Sequence, residues 1–309
     1  MSTHDDGPSK AAPQVSDLTI ENITQNAKLV NSETANARLK FLMDKLIDHL
    51  HDYIRETRLT TEEWTETIRF LTSSGQICND VRQEFILLSD ILGASVLIDA
   101  LNNPKPPNAT ESTVLGPFYT EDAADVANGE SIASPNKGEI CLVLATVKNT
   151  KGEPIEGARI DVWETDGNGL YDNQYEHREK PDMRGRLTSN KQGEFYFKCV
   201  KPVSYAVPTD GPVGGLLKAL HRCAYRPAHI HFRLSVPNSD YDDLVTALYI
   251  NGDPYITSDA VFGVKKNLIV DANKVNDIAL AKMYEVNEQD WLIRYDFVMT
   301  TKKETQELL

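Results

Sequence analysis

The spacing of apolar residues changes once along this chain of 309 residues, and that change constrains the fold more than any other feature of the sequence. From about Ser32 to Leu101, apolar residues recur at steps of three and four, which is the period of an α-helix. After a polar, Pro-rich segment at 102–123, the period becomes two, as in a half-buried β-strand. The change predicts an α+β protein in which an N-terminal helical part precedes a mostly antiparallel β-sandwich.

The same change predicts the domain organisation. Residues 1–20 are polar and contain Gly and Pro, so we expect a disordered tail there. Residues 21–105 form the predicted helical domain, which includes the connection to the sandwich. Residues 106–309 form the predicted β-sandwich domain.

Three helices are predicted in the N-terminal part. The first covers TANARLKFLMDKLIDHLHDYIRE, where one apolar stripe runs from Leu39 to Ile54. The second begins at Thr60, because Thr60 and Glu63 have capping-box spacing, and we expect it to end at Gly75. The third covers DVRQEFILLSDILGASVLIDAL as one continuous helix, which is apolar nearly all round and is expected to be buried on more than one side.

The remainder of the chain contains many short strands separated by turn residues, which is typical of a β-sandwich. GEICLVLATV and ARIDVWET are predicted to form a hairpin-like pair, and GRLTS and EFYFKCV are predicted to repeat that arrangement. Further strands are predicted at RPAHIHFRLSV, LVTALYI and DWLIRYDFVM.

Charge and composition exclude several classes of function. The formal charge of -14 and the pI near 5.0 disfavour nucleic acid and anionic membranes as partners. No run approaches the roughly 20 apolar residues of a membrane-spanning helix, and the N-terminus does not resemble a secretory signal. The four cysteines are scattered without a C-x-x-C pair. We therefore expect a cytoplasmic protein with reduced thiols and no membrane insertion.

The segment RPAHIHF contains the first candidate for chemistry. His229 and His231 leave the same face of a strand, so they can present two imidazoles to one metal, although unrelated histidines give the same pattern. A carboxylate as third ligand would favour Fe(II), whereas tyrosines would favour a more acidic ion such as Fe(III). Tyr171 follows a Gly-rich turn, and Tyr205 lies in a Pro-rich segment. Either tyrosine alone is also explained as a packed aromatic residue.

The motifs GNGLYD, SYAVPTDGPVG and RPAHIHF, in this order, resemble those of the intradiol ring-cleavage dioxygenases of the catechol 1,2-dioxygenase type. The resemblance implies one Fe(III) per chain, held by Tyr171, Tyr205, His229 and His231. It also implies that Tyr205 accepts a proton from the substrate and that Arg226 stabilises charge on the ring. An arginine that braces the strand through a carboxylate is the alternative reading of Arg226, and both roles can coexist.

Further motifs most resemble the branch of the family that cleaves hydroxyquinol (benzene-1,2,4-triol), namely TVLGPFY, YAVPTDGPVG and SDAVFGV. That branch implies O2-dependent conversion of hydroxyquinol to maleylacetate, with cleavage of catechol to cis,cis-muconate as the alternative. Ala206 departs from the branch, where proline is more usual. The resemblance implies a substrate pocket lined by Leu87, Asp90, Val114, Leu115, Gly116, Pro117, Phe118, Pro208, Arg226, Ala260 and Val261. Asp90 would accept a hydrogen bond from the third hydroxyl, or would bond only to a neighbouring side chain.

The resemblance also implies a homodimer built on the N-terminal helices, with a phospholipid buried along the interface. Two rival functions stay open at this point. One is an Fe(II) extradiol dioxygenase that uses the two histidines and a carboxylate, which would be nearly colourless rather than red-brown. The other is a non-catalytic module, because GEPIEGARIDVWETDGNG also suits transthyretin-like domains without a metal.

Overall fold

The computed structural model describes residues 16–79, 82–178 and 180–309. The chain divides into two compact units, one up to Thr72 and one from Ser73 onwards. Residues 1–15 of the predicted tail lie outside the described residues, and the predicted domain boundary at residue 105 stays a prediction.

The first unit is helical. It contains α1 (Ile23–Leu29), α2 (Ala37–Thr57) and most of α3 (Thr61–Ile77). The predicted capping box of α3 is present, because the Thr60 amide donates to Glu63 Oε2 at 2.9 Å and the Glu63 amide donates to Thr60 Oγ1 at 3.2 Å. The predicted stop at Gly75 is wrong. This glycine keeps a helical backbone, which costs only about 1 kcal/mol relative to alanine, and α3 continues for two further residues.

The predicted third helix is two helices, α4 (Glu84–Ile91) and α5 (Ala94–Asn102). Gly93 separates them because it adopts a left-handed backbone with φ of 74°, which a continuing α-helix does not permit. The expectation of burial on several sides is also wrong for α5, which has no buried residue among those described, whereas α4 buries one face. The first two residues of the predicted helix, 80 and 81, lie outside the described residues.

The second unit contains the β-sandwich. Its strands are β1 (Ile140–Asn149), β2 (Arg159–Trp163), β3 (Arg184–Thr188), β4 (Glu194–Val200), β5 (Tyr205–Ala206), β6 (Tyr225–Arg226), β7 (His229–Ser235), β8 (Leu244–Ile250), β9 (Ile269–Val270), β10 (Asn273–Lys274) and β11 (Trp291–Met299). Its remaining helices are α6 (Pro212–Ala219), α7 (Ile278–Tyr284) and α8 (Lys302–Gln306).

The two sheets have the strand orders β10-β11-β1-β4 and β3-β2-β7-β8-β9, and β5 pairs with β6 in a separate ribbon. The β1–β11 and β8–β9 pairs are parallel and the other pairs are antiparallel, which confirms a mostly antiparallel sandwich. The core lies between the sheets. There the Phe232 ring lies 6.3 Å from that of Phe197 and 4.9 Å from that of Phe297, on strands of the opposite sheet.

Both predicted hairpins are wrong. β1 pairs with β11 and β4, whereas β2 lies in the opposite sheet between β3 and β7. β3 and β4 are likewise in different sheets. Turn residues predict that the chain reverses, but they do not determine whether the next strand stays in the same sheet.

None of the helices within the described ranges combines the length and the apolar character that a membrane span requires.

Candidate metal centre

The four predicted donor residues lie together at one end of the five-stranded sheet. Both histidines leave the same face of β7, and their Nε2 atoms are 3.1 Å apart. Tyr205 lies on β5 and Tyr171 follows the turn after β2, with 3.2 Å between the two phenol oxygens. The Tyr205 ring centroid is 5.5 Å from that of His229, and all four side chains are buried.

The motif RPAHIHF is not one continuous strand, which corrects the prediction. Arg226 ends β6 and pairs with Tyr205, whereas His229 begins β7. Pro227 lies between them and has no amide hydrogen for a continuous ladder. The break places Arg226 beside the histidines instead of in line with them.

Both histidines are neutral. His229 Nδ1 lies 2.6 Å from the Pro227 carbonyl oxygen, which can only accept a hydrogen bond, so Nδ1 carries the proton and Nε2 presents a lone pair. Burial, and then the Arg226 charge, lower the pKa of His229 to about 3. Burial also lowers the pKa of His231 well below its ordinary value. Neutral imidazoles are the form that binds metal ions.

An aromatic stack holds the His231 ring. Its ring lies 4.9 Å from that of Trp163, its cross-strand partner, with an interplanar angle of 0°. Its Nδ1 atom has no hydrogen-bond partner among the described residues. Trp163 is not among the predicted site residues, and its role depends on the pairing of β2 with β7.

The tyrosines are equally enclosed. Burial, and then the proximity of Tyr205, raise the pKa of Tyr171 well above its ordinary value. The Phe118 ring stacks on Tyr171 with 4.4 Å between centroids and 19° between planes. Such a phenol stays protonated unless a nearby cation stabilises its anion.

The donor set fits a metal ion. Two adjacent ligands, each bonded at roughly 2.0–2.2 Å, lie about 3 Å apart, which matches the separations of 3.1 Å and 3.2 Å within the two pairs. Two imidazole nitrogens and two phenol oxygens suit an acidic transition-metal ion, because its charge lowers the pKa of the phenols. Among the described residues, no group of three or more His, Cys, Asp and Glu side chains is arranged to hold a metal.

Arg226 is fixed beside this set by groups that the sequence analysis missed. Its Nε donates to Asp259 Oδ1 at 3.1 Å, its Nη2 donates to Tyr249 Oη at 3.1 Å, and its Nη1 lies 3.2 Å from His229 Nε2. Burial opposes the charge of Arg226, but the Asp259 carboxylate together with Tyr205 and Tyr249 outweighs burial, so the pKa of Arg226 is raised. Gly263 makes the cluster possible, because a Cβ there would lie 2.6 Å from Tyr249 Oη.

One of these two partners has a signal in the sequence. Asp259 lies inside the motif SDAVFGV, of which only Ala260 and Val261 were predicted to be site residues. Tyr249 is the cross-strand partner of His229, which only the register of β7 and β8 reveals.

A cavity of about 380 Å³ lies beside Gly116, and its lining also includes Asp90, Val114 and Leu115 but none of the four donor residues. Gly116 connects the two features, because a Cβ there would lie 3.7 Å from His231 Nε2. Asp90 is buried, and burial raises its pKa, although a hydrogen bond from Ser95 opposes the shift.

The other predicted pocket residues differ in burial. Leu87, Ala260 and Val261 are buried, Pro208 is half-buried and Pro117 is exposed.

Comparison with known proteins defines the class. A family model described as a dioxygenase matches residues 114–301, and a model described as the catechol dioxygenase N terminus matches residues 36–110. The chain belongs to the intradiol ring-cleavage dioxygenases, enzymes that open an aromatic diol or triol with O2.

Individual relatives cover nearly the whole chain. An intradiol ring-cleavage dioxygenase of Aspergillus niger is 53% identical over 302 residues, which cover 97% of this chain and 91% of that protein. A hydroxyquinol 1,2-dioxygenase of a Rhizobium species is 45% identical over 265 residues, which cover 85% of this chain and 89% of that protein. The solved structure of hydroxyquinol 1,2-dioxygenase from Pseudomonas putida has a TM-score of 0.84 and 42% identity, and covers 92% of this chain and 99% of that one.

Proposed function

We propose that this chain converts hydroxyquinol and O2 to maleylacetate at one Fe(III) held by Tyr171, Tyr205, His229 and His231. The carbon–carbon bond between the two adjacent hydroxyl-bearing carbons breaks, and both oxygen atoms of O2 enter the product. The observation that carries the choice of substrate is the buried carboxylate of Asp90 in the cavity beside the histidines. The relatives named hydroxyquinol 1,2-dioxygenase support the same choice.

Asp90 accounts for the triol. A catechol has no third hydroxyl, so it would leave this carboxylate without a partner from the substrate. Hydroxyquinol supplies an O–H that can donate to it, and a hydrogen bond to a buried carboxylate contributes about 1.5–3 kcal/mol. The neighbouring lining by Val114 and Leu115 suits the apolar face of the ring.

The metal site prepares the diol for reaction. When bound, Fe(III) would supply Lewis acidity toward the two diol oxygens and accept electron density from the aromatic ring. Tyr205 would accept one diol proton at its phenolate oxygen, while the stack of Phe118 on Tyr171 keeps the second phenolate in place. Trp163 holds the His231 ring in one orientation.

Arg226 would stabilise negative charge that develops on the ring. Its guanidinium is already oriented by Asp259 and Tyr249, so no reorganisation is needed during the reaction. The close position of its Nη1 to His229 Nε2 places the positive charge at the edge of the donor set. The bond to Asp259 means that bracing and catalysis are compatible roles for this arginine.

Oxygen uptake with hydroxyquinol, catechol and protocatechuate in parallel tests the proposal. We expect the largest kcat/KM with hydroxyquinol, and incorporation of both ¹⁸O atoms from ¹⁸O₂ into maleylacetate. Heat-denatured protein controls for autoxidation of the triol. A larger kcat/KM with catechol and formation of cis,cis-muconate would assign the alternative substrate, and no uptake with any diol by iron-loaded protein would contradict the proposal.

We further propose a homodimer formed through the N-terminal helices, with a phospholipid at the interface. Support comes from apolar side chains of this part that are half-exposed in the single chain, such as Leu46 and Leu50 on α2 and Trp64 on α3. Light scattering should give twice the chain mass for the native protein and a monomer for the double variant Leu46→Glu, Leu50→Glu. Mass spectrometry of an organic extract should detect the lipid. The cytoplasmic location stays a prediction.

A further inference from the structure

We propose that Arg222 is a positioning residue that ties the two walls of the substrate pocket together and thereby sets the width of the pocket. The resemblance assigns one wall to α4, which carries Leu87 and Asp90, and the other wall to the loop 259–263, which carries Ala260 and Val261. The proposal rests on the proposed function and on this assignment of the pocket walls.

A single guanidinium bridges the two walls. Arg222 Nη1 donates to the carbonyl of Ile91, the last residue of α4, and Nη2 donates to the carbonyl of Ala260 at 3.0 Å. Carbonyls in the last turn of a helix have no partner within the helix, so the first bond satisfies a group that would otherwise need water. The planar fork of arginine can hold two such acceptors at a fixed separation, which lysine cannot.

The first residue of α4 is also held by a hydrogen bond, but its partner lies on α6 and not on the loop. Glu84 is buried at the start of α4, and its Oε1 accepts a hydrogen bond at 3.0 Å from the amide of Val213 at the start of α6. Arg222 follows the end of α6, where its own amide donates to the Leu217 carbonyl at 2.9 Å. α6 and the segment that follows it therefore hold α4 near both ends, and of these two ties the one through Arg222 also reaches the loop.

The loop stores strain that Arg222 helps to retain. Asp259 accepts hydrogen bonds from the amides of Val261 and Gly263, which fixes the base of the loop. Phe262 lies between them with φ of 60°, which an L-residue rarely adopts. The Arg222 guanidinium lies 4.9 Å from the centre of the Phe262 ring, in the geometry of a cation–π contact.

A second cavity adjoins the loop. Behind it lies a surface cavity of about 370 Å³ lined by Arg222, Asp259 and Phe262 among other residues. Without the tie, the Ala260 carbonyl loses its partner and the loop can relax into that space. The pocket would then be closed in only a fraction of molecules, which weakens substrate binding in proportion to that fraction.

The test compares Arg222→Ala and Arg222→Lys with wild type, with Arg294→Ala as the control because Arg294 is an exposed residue of β11 on the other sheet. For Arg222→Ala we expect KM for hydroxyquinol to rise about tenfold with kcat nearly unchanged. The ratio of kcat/KM for 4-methylcatechol to that for catechol should rise, because a wider pocket accepts the methyl group. Arg222→Lys should be intermediate, and Arg294→Ala should match wild type.

Hydrogen exchange provides a readout that needs no turnover. In Arg222→Ala, faster exchange is expected in the segments 84–93 and 258–264, with no change in iron content or in the visible spectrum. Unchanged exchange together with unchanged KM would overturn the proposal. A fall in kcat with an altered visible spectrum would also overturn it, because that result would place the role of Arg222 at the metal.

The failure of this proposal can be distinguished from the failure of the proposed function. If hydroxyquinol is not the substrate, the exchange measurement and the change in KM for the diol that is cleaved still decide the role of Arg222. If Arg222→Ala does not fold, Phe262→Leu, which removes the cation–π contact and keeps both hydrogen bonds, should give a smaller rise in KM. If Phe262→Leu and Arg222→Lys both left KM and hydrogen exchange unchanged, the proposed role of Arg222 would be contradicted.

Discussion

The substitution Asp259→Asn removes the counter-charge of Arg226 with almost no change in shape. The carboxylate accepts hydrogen bonds from Arg226 Nε at 3.1 Å and Nη2 at 3.4 Å, and from the amides of Val261 at 3.3 Å and Gly263 at 2.9 Å. An asparagine can replace only one of its two oxygens as an acceptor. Arg226 is 3% exposed, so its charge would remain buried without compensation.

The magnitude follows from this burial. Loss of one partner of a buried ion pair costs about 3–5 kcal/mol in the free energy of unfolding. Displacement of the guanidinium from its position beside His229 should lower kcat by about 100-fold. The matched control is Asp296→Asn, because that carboxylate is 60% exposed in its ion pair with Lys148, and such surface pairs contribute about 0–1 kcal/mol.

The pH dependence of stability gives a second signature. Burial raises the pKa of Asp259, but Arg226, together with His229 and the Val261 amide, outweighs burial and leaves the pKa depressed. A depressed pKa stabilises the folded state above the unfolded-state value of about 3.9, and this contribution is lost as pH falls through the folded-state value. The difference in stability between wild type and Asp259→Asn should therefore be full at pH 7 and should shrink below about pH 4.

Urea denaturation at several pH values and steady-state oxygen uptake measure these effects. The reasoning would be refuted if Asp259→Asn lost no more stability than Asp296→Asn and retained the kcat of wild type. A loss of stability that was independent of pH would contradict the assigned role of the Asp259 charge.

Three further substitutions have defined outcomes. Tyr205→Phe should lower turnover more than about 100-fold and weaken the visible band, and an unchanged rate and spectrum would exclude Tyr205 as a ligand. Asp90→Asn should lower kcat/KM for hydroxyquinol about tenfold more than for catechol, and equal effects on the two substrates would remove Asp90 from the specificity argument. Gly263→Ala would place a Cβ 2.9 Å from Arg226 Nη2, so kcat should fall about tenfold or more with iron retained. Gly215→Ala is the control, because among the described residues no atom outside its own helix backbone and chain neighbours lies within 4 Å of the new Cβ. A similar loss there would show that the effect is not local.

The helical part shows how far local sequence rules reach. The capping residues Thr60 and Glu63 determine the start of α3, because their hydrogen bonds involve only neighbouring residues. The predictions for Gly75 and Gly93 were both wrong, because a helix end was predicted at Gly75 and a continuous helix was predicted through Gly93. Gly75 remains in a helix and Gly93 interrupts one, and a glycine permits both conformations at little cost. Packing around each glycine decides whether the helix continues or ends there, and packing depends on residues that are distant in the sequence.

The sandwich was predictable as a class but not in its pairings. Alternation along EFYFKCV predicts a strand with Phe195, Phe197 and Cys199 on one face, and these three residues are buried in β4. The parallel pair of β1 and β11 joins Cys141 to Trp291, which are far apart in the sequence. Such a pairing depends on the collapse of the whole chain rather than on a turn.

Sequence motifs predict the four donor residues, but they do not predict the residues that hold Arg226 and α4 in position. The spacing of His229 and His231 predicts one face of a strand, which the structure has. The roles of Asp259 and Tyr249 depend on a loop and on a strand register that bring them to Arg226. The bridge made by Arg222 depends on the end of α4, which the prediction of one long helix concealed.

The visible absorption spectrum of purified protein with its iron content quantified tests the central claim most directly. The claim is that two phenolates and two imidazoles hold one Fe(III). We expect about one iron per chain and a broad visible band that gives a red-brown protein, because phenolate-to-Fe(III) charge transfer absorbs visible light. A protein that binds iron and is nearly colourless in air would contradict the claim.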